Sequence, residues 1–123
     1  METPKIFESE YRFCEILWEH EPVKSSELVR LCAEKLEWKK STTYTVIKRL
    51  TERGIVKTED AVVSALISRE EVQHAESRAF VARNFGGSLP RFLAAFAGGA
   101  TLTQEEAEEL HRLIDAYEEK HHD

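Results

Sequence analysis

Residues 38–56 read Trp38-Lys-Lys-Ser-Thr-Thr-Tyr-Thr-Val-Ile-Lys-Arg-Leu-Thr-Glu-Arg-Gly-Ile-Val56, and the rest of the chain takes its meaning from them. At about 100° per residue, Thr43, Val46, Ile47 and Leu50 fall on one stripe that requires a core. Ser41, Tyr44, Thr45, Lys48 and Glu52 form the opposite stripe, with Thr42, Arg49 and Arg53 on its flank. Hydroxyls and cations gather near the start of that outward face, where a groove-reading helix meets base edges and phosphates. Gly54, free to take positive φ, ends the helix. Lys39, Lys40, Lys48, Arg49, Arg53 and Lys57 stand against Glu52 alone, a basic island in a chain of formal net charge −6. The spacing predicts a helix over 41–53 that enters the major groove of DNA. An ordinary amphipathic helix with a solvated charged face shows the same pattern, so the flanking segments decide.

At 123 residues the chain makes one compact unit, or one small domain with a helical extension. Apolar residues at 41% and charged residues at 33% suit a soluble globular protein. No apolar run approaches the roughly 20 residues that span a bilayer, and no signal-peptide pattern opens the chain, so a cytoplasmic protein is expected. Cys14 and Cys32 sit in apolar helical patterns and read as buried free thiols. The acidic balance argues against unselective coating of nucleic acid, and it is compatible with a dimer presenting two small basic patches. There is no Ser/His/Asp set, Gly-rich phosphate loop, His-Glu-x-x-His or Cys pair at metal spacing. The expectation is therefore no enzyme, no cofactor and no metal. His121-His122 at the terminus reads as an incidental pair rather than a ligand set.

Taken in order, residues 1–5 read as a short mobile lead. Phe7, Tyr11, Cys14 and Trp18, widened by Phe13, Ile16 and Leu17, predict a first helix over about 9–19 with Trp18 as a core anchor. Glu21-Pro22 breaks it, since the residue before proline is pushed out of the helical region. Ser25 or Ser26 is placed to cap a second helix with Leu28, Leu31, Cys32 and Leu36 on its apolar face. A short connection to residue 41 makes a helix-turn-helix. Two β-prone runs, Ile55–Thr58 and Ala61–Ile67, flank the tip Glu59-Asp60 and predict a hairpin, the wing of a winged helix. Its acidic tip is poorly suited to phosphate, so the wing is expected to add little to DNA affinity.

Ser68-Arg69-Glu70-Glu71 and Thr103-Gln104-Glu105-Glu106 are capping boxes. They predict a helix to about Phe85, stopped by Gly86-Gly87, and a last helix burying Ala107, Leu110, Leu113, Ile114 and Tyr117. Between them an apolar segment with Phe92, Leu93 and Phe96 begins at Ser88 and breaks at Gly98-Gly99. The predicted fold is mainly α, an α+β winged helix: a winged helix-turn-helix DNA-binding domain over 1–68 and a three-helix dimerisation domain over 69–123. Such trailing helices have apolar stripes that their own chain does little to cover. A twofold dimer through Val72, Ala79, Phe80, Phe92, Leu93, Phe96, Leu110, Leu113, Ile114 and Tyr117 would cover them; folding back on the first domain is the other solution.

These pieces together resemble the penicillinase-repressor family, the BlaI, MecI and CopY type of transcriptional regulator, from about Ile6 to Glu119. The resemblance is carried by Glu10-Tyr11 leading to Leu17-Trp18 and by Thr42-Thr-Tyr-Thr-Val-Ile-Lys-Arg-Leu50 with Arg53-Gly54. Phe85-Gly-Gly-Ser88, Ala95-Phe96 and Thr103 leading to Glu109-Leu110 complete it. It implies a homodimeric repressor on a palindromic operator, released when a membrane-bound sensor metalloprotease cuts the dimerisation domain. The Asn-Phe bond cut in staphylococcal-type members aligns with Ala95-Phe96, where the phenylalanine is kept and the asparagine is not. A literal Asn84-Phe85 pair aligns elsewhere. The Cys-x-Cys motifs of the copper-responsive branch are missing, and Tyr44 stands where some members carry arginine.

On this reading Lys39, Lys40, Lys48 and Arg49 hold phosphates and set register. Ser41, Thr42, Tyr44 and Thr45 lie nearest the base edges, with the Tyr44 ring suited to a thymine methyl. Lys48 is equally suited to a guanine, and Arg49 to an internal glutamate partner. The rival from another class is a winged-helix protein-docking module that binds no DNA, which the acidic wing tip favours.

Overall fold

The structure, a computed structural model, describes residues 4–99 and 102–121. In chain order its elements are α1 (Glu8–His20), β1 (Val23–Lys24), α2 (Ser25–Leu36), α3 (Lys40–Glu52), β2 (Val56–Glu59), β3 (Val62–Ala65), α4 (Arg69–Phe85), α5 (Leu89–Gly99) and α6 (Gln104–His121). The chain divides into two compact units, Met1–Arg78 and Ala79–Asp123.

In the first unit three helices close over one face of a small antiparallel sheet. Phe13, Cys14 and Leu17 of α1 meet Leu28, Leu31 and Cys32 of α2 and Val46, Ile47 and Leu50 of α3. Ile6, Ile16, Val23, Ile55, Val56, Val63 and Val72 complete this core. Burial of these apolar groups is the main force holding the unit together. The four α3 positions that the sequence assigned inward, Thr43, Val46, Ile47 and Leu50, are the buried ones. Trp18 anchors the core edge as expected: its Nε1–H donates to the Ile67 carbonyl at 2.9 Å. Tyr11 meets its ring edge-on at 5.6 Å, and the Arg69 guanidinium lies 5.6 Å from the ring centre. Both cysteines are free and buried. Burial, with the Glu10 carboxylate adding, pushes the Cys14 thiol up to about 12. Burial also raises Cys32, with the Thr43 hydroxyl working the other way. Both thiols stay protonated at neutral pH and make poor nucleophiles.

Several expectations need correcting. The sheet has three strands in the order β1-β3-β2, with Val23 opposite Val63 and Val56 opposite Ala65; β1 was not foreseen. Its pairing carries the chain straight into α2, so Lys24 is the cap residue and gives no side-chain bond. Ser25 is already helical, its amide donating to the Ala61 carbonyl at 2.9 Å. Phe7 lies before α1 and is exposed, while the neighbouring Ile6 is buried. Lys5, assigned to a mobile lead, is held through its carbonyl by Arg53.

The hairpin tip is Asp60-Ala61, not Glu59-Asp60, because Glu59 is paired with Val62. Both tip residues have positive φ, 51° and 63°. A two-residue hairpin loop of this form follows the right-handed twist of its strands and prefers glycine. An alanine in that left-handed region costs on the order of 1 kcal/mol. Ala61 is exposed and loses no packing on truncation. Ala61→Gly is therefore expected to raise unfolding stability by about 0.5–1 kcal/mol, read as a higher midpoint in urea.

The helices of the second unit form as predicted. Thr103 and Glu106 exchange capping bonds of 3.0 Å each, as Ser68 and Glu71 do at the start of α4. Gly86 and Gly87, at φ 58° and 81°, end α4. Helix α5 takes in Gly98 and ends at Gly99, at the pair read as its break. Phe80, Phe85 and Phe92 meet with ring centres 5.4–6.0 Å apart, and Phe96 joins Phe92 at 6.1 Å. Neither α5 nor α6 buries a single residue. The last helix was expected to bury its apolar stripe, yet Leu113, Ile114 and Tyr117 are 65%, 52% and 62% exposed.

Candidate nucleic-acid interface

Helix α3 is positioned by its own buried stripe, and that fixes which side chains face out. Ser41, Thr42, Tyr44, Thr45, Lys48 and Arg49 are all exposed, as are Lys39 and Lys40 just before them. The eight residues singled out from the sequence are thus brought together on one helix and its lead-in. Among the described residues none of their four cations enters an ion pair. Arg49 has no internal glutamate partner there, so the alternative reading of that residue finds no support.

The start of α3 is itself suited to an anion. Its cap residue Lys39 makes no side-chain bond, and its first turn holds no acidic residue. Helices α1, α2, α4 and α6 each carry glutamate in that turn. The first amides of α3 and the positive end of its dipole therefore remain available, flanked by Lys39 and Lys40.

Two members of the basic island are spent elsewhere. Arg53 donates two hydrogen bonds from Nη1 to the Glu10 carboxylate, at 2.7 and 2.9 Å. Glu10 is 5% exposed and also accepts the Phe7 amide at 3.0 Å. This clamp ties the end of α3 to the start of α1. It was missed in the sequence because a glutamate in a first turn looks like a solvated charge. Lys57 pairs with Glu59 along the wing at 3.3 Å, which leaves the hairpin without a free cation near its acidic tip.

The other predicted residues lie in the C-terminal helices. Val72 is fully covered by the core of the first unit. Ala79 and Phe80 are exposed on α4, Phe92 and Leu93 half-buried on α5, and Leu110 half-buried on α6. Ala95 and Phe96 are both exposed on α5. His121 stacks on Tyr117 with ring centres 3.9 Å apart; His122 lies outside the described residues. Among the described residues no group of His, Cys, Asp and Glu is arranged to hold a metal ion. No helix among them is long and apolar enough to cross a membrane.

A compact three-helix unit with a β-hairpin directly behind a basic second helix of a helix-turn-helix is a winged helix-turn-helix domain. More narrowly, the chain belongs to the penicillinase repressor family, whose model matches residues 6–116, and transcriptional repression is the function that membership carries. It is 21% identical over 121 residues to the penicillinase repressor of Bacillus licheniformis, covering 95% of this chain and 94% of that one. It is 21% identical over 117 residues to the methicillin resistance regulatory protein MecI of Staphylococcus aureus, covering 92% and 95%. It is 29% identical over 118 residues to an uncharacterized 16.5 kDa protein of Latilactobacillus sakei, covering 93% and 81%.

Proposed function

We propose that the protein is a homodimeric repressor that reads a palindromic operator with α3 in the major groove. The observation carrying this is the outward face of α3, with Lys39 and Lys40 at its acid-free start and Lys48 and Arg49 further along, none of them in an ion pair among the described residues. Lys39, Lys40, Lys48 and Arg49 supply salt-dependent affinity through phosphates. Ser41, Thr42, Tyr44 and Thr45 face the base edges, and Tyr44, 40% exposed, offers its ring to a thymine methyl.

Dimerisation runs through α5 and α6, where Phe96, Leu113, Ile114 and Tyr117 are each more than half exposed; Val72, buried in the core of the first unit, takes no part. Joining two reading heads multiplies affinity, so anything that separates them relieves repression. The Ala95-Phe96 bond is the place where a sensor metalloprotease would cut. Both residues are exposed, yet they sit in regular helix, and a protease would have to unwind α5 to reach the bond.

Repeated selection from a random duplex library with the full chain tests the operator. Enrichment of an inverted repeat, with half-sites about one helical turn or a multiple apart, is the expected result. An asymmetric motif, or none, would contradict it. No enrichment together with retention on protein ligands would favour the docking-module reading.

A further inference from the structure

The segment before α1 ends in an unexpected place. Ile6 is buried in the core at 5% exposure, and this fixes its neighbours on either side. The Lys5 carbonyl accepts a hydrogen bond from Arg53 Nη2, and the Phe7 amide is held by Glu10. The Lys5 ammonium and the Arg53 guanidinium lie 5.2 and 5.4 Å from the centre of the Phe7 ring. Lys5 itself is exposed. The arm is therefore fastened against the C-terminal end of α3 and carries there the Lys5 ammonium, which enters no ion pair among the described residues.

Position along the helix gives that cation a purpose. Arg53 follows Arg49 by four residues, so the two share a flank of α3. Arg53 is neutralised by Glu10, and Lys5 takes its place as the charge at that end. Thirteen residues make a helix about 20 Å long, whereas the major groove is only about 12 Å wide. If α3 enters the groove by its start and crosses rather than follows it, the far end comes out at the phosphate ridge.

We infer that Lys5 is a phosphate contact of the operator complex, a clamp delivered to the DNA by the arm through Arg53. The inference rests on the proposed groove-reading function and extends the basic face to a residue outside the helix-turn-helix.

The test is the salt dependence of binding to the selected duplex, by fluorescence anisotropy, for wild type, Lys5→Ala, Lys5→Arg, Lys48→Ala and Lys57→Ala. Each phosphate contact contributes about 0.9 to the slope of log K against log salt, so a dimer should lose nearly 2 with Lys5→Ala. Lys5→Arg should keep the slope, and Lys57→Ala, already paired with Glu59, should leave it unchanged. A wild-type slope in Lys5→Ala, while Lys48→Ala lowers it, overturns the inference and spares the groove-reading function. Failure of the wild type to bind any duplex overturns both.

Discussion

Leu113→Glu should leave the protein monomeric and lower its apparent affinity for the operator by roughly 10²- to 10⁴-fold. Leu113 is 65% exposed in one protomer and lies beside Ile114 and Tyr117, also more than half exposed. A glutamate there stays largely in water in the monomer, so the fold should stand. Across a twofold interface the same carboxylate would be desolvated without a partner, opposite its own copy. Sedimentation velocity and circular dichroism of the variant give the two readouts. A dimer of wild-type affinity would place the interface elsewhere, while loss of helical signal would mean that α6 needs Leu113 within its own chain.

Arg53→Ala should have the largest effect on stability, about 3 kcal/mol, because it strands the Glu10 carboxylate in a buried position. Glu10 has a side chain only 6% exposed, against 32% for Arg53. Breaking such a pair from one side costs more than the pair contributes, since the remaining charge has lost its solvent as well as its partner. For a chain of this size the loss corresponds to a melting point lower by roughly 10 °C. The variant also releases the arm from the end of α3. Glu10→Gln, which keeps the shape and removes the charge, should cost less. Equal melting points for wild type and Arg53→Ala would show the clamp to be dispensable.

What could be read in the sequence was set by local periodicity. The stripe of Thr43, Val46, Ile47 and Leu50 and both capping boxes depend on residues three or four apart, and all appear as expected. What could not be read depends on partners far along the chain. Strand β1 is two residues long and exists because Val63 lies opposite Val23, which no pattern over so short a run announces. Glu10 is buried because of Arg53, 43 residues later, so a charge that looked solvated became a clamp. Two cations of the basic island are engaged elsewhere for the same reason. Arg53 and Lys57 are paired off, and Lys5 enters from the lead. The apolar stripe of α6 was visible too, but Leu113, Ile114 and Tyr117 are exposed rather than buried.

The most direct test of the account is binding of the wild-type protein and Lys48→Ala to the duplex upstream of the protein's own gene at two salt concentrations. Tight binding that weakens steeply with salt, with a slope lower by nearly 2 per dimer in Lys48→Ala, is the expected result. No binding to that duplex or to random duplex, even at low salt, would contradict the groove-reading role of α3.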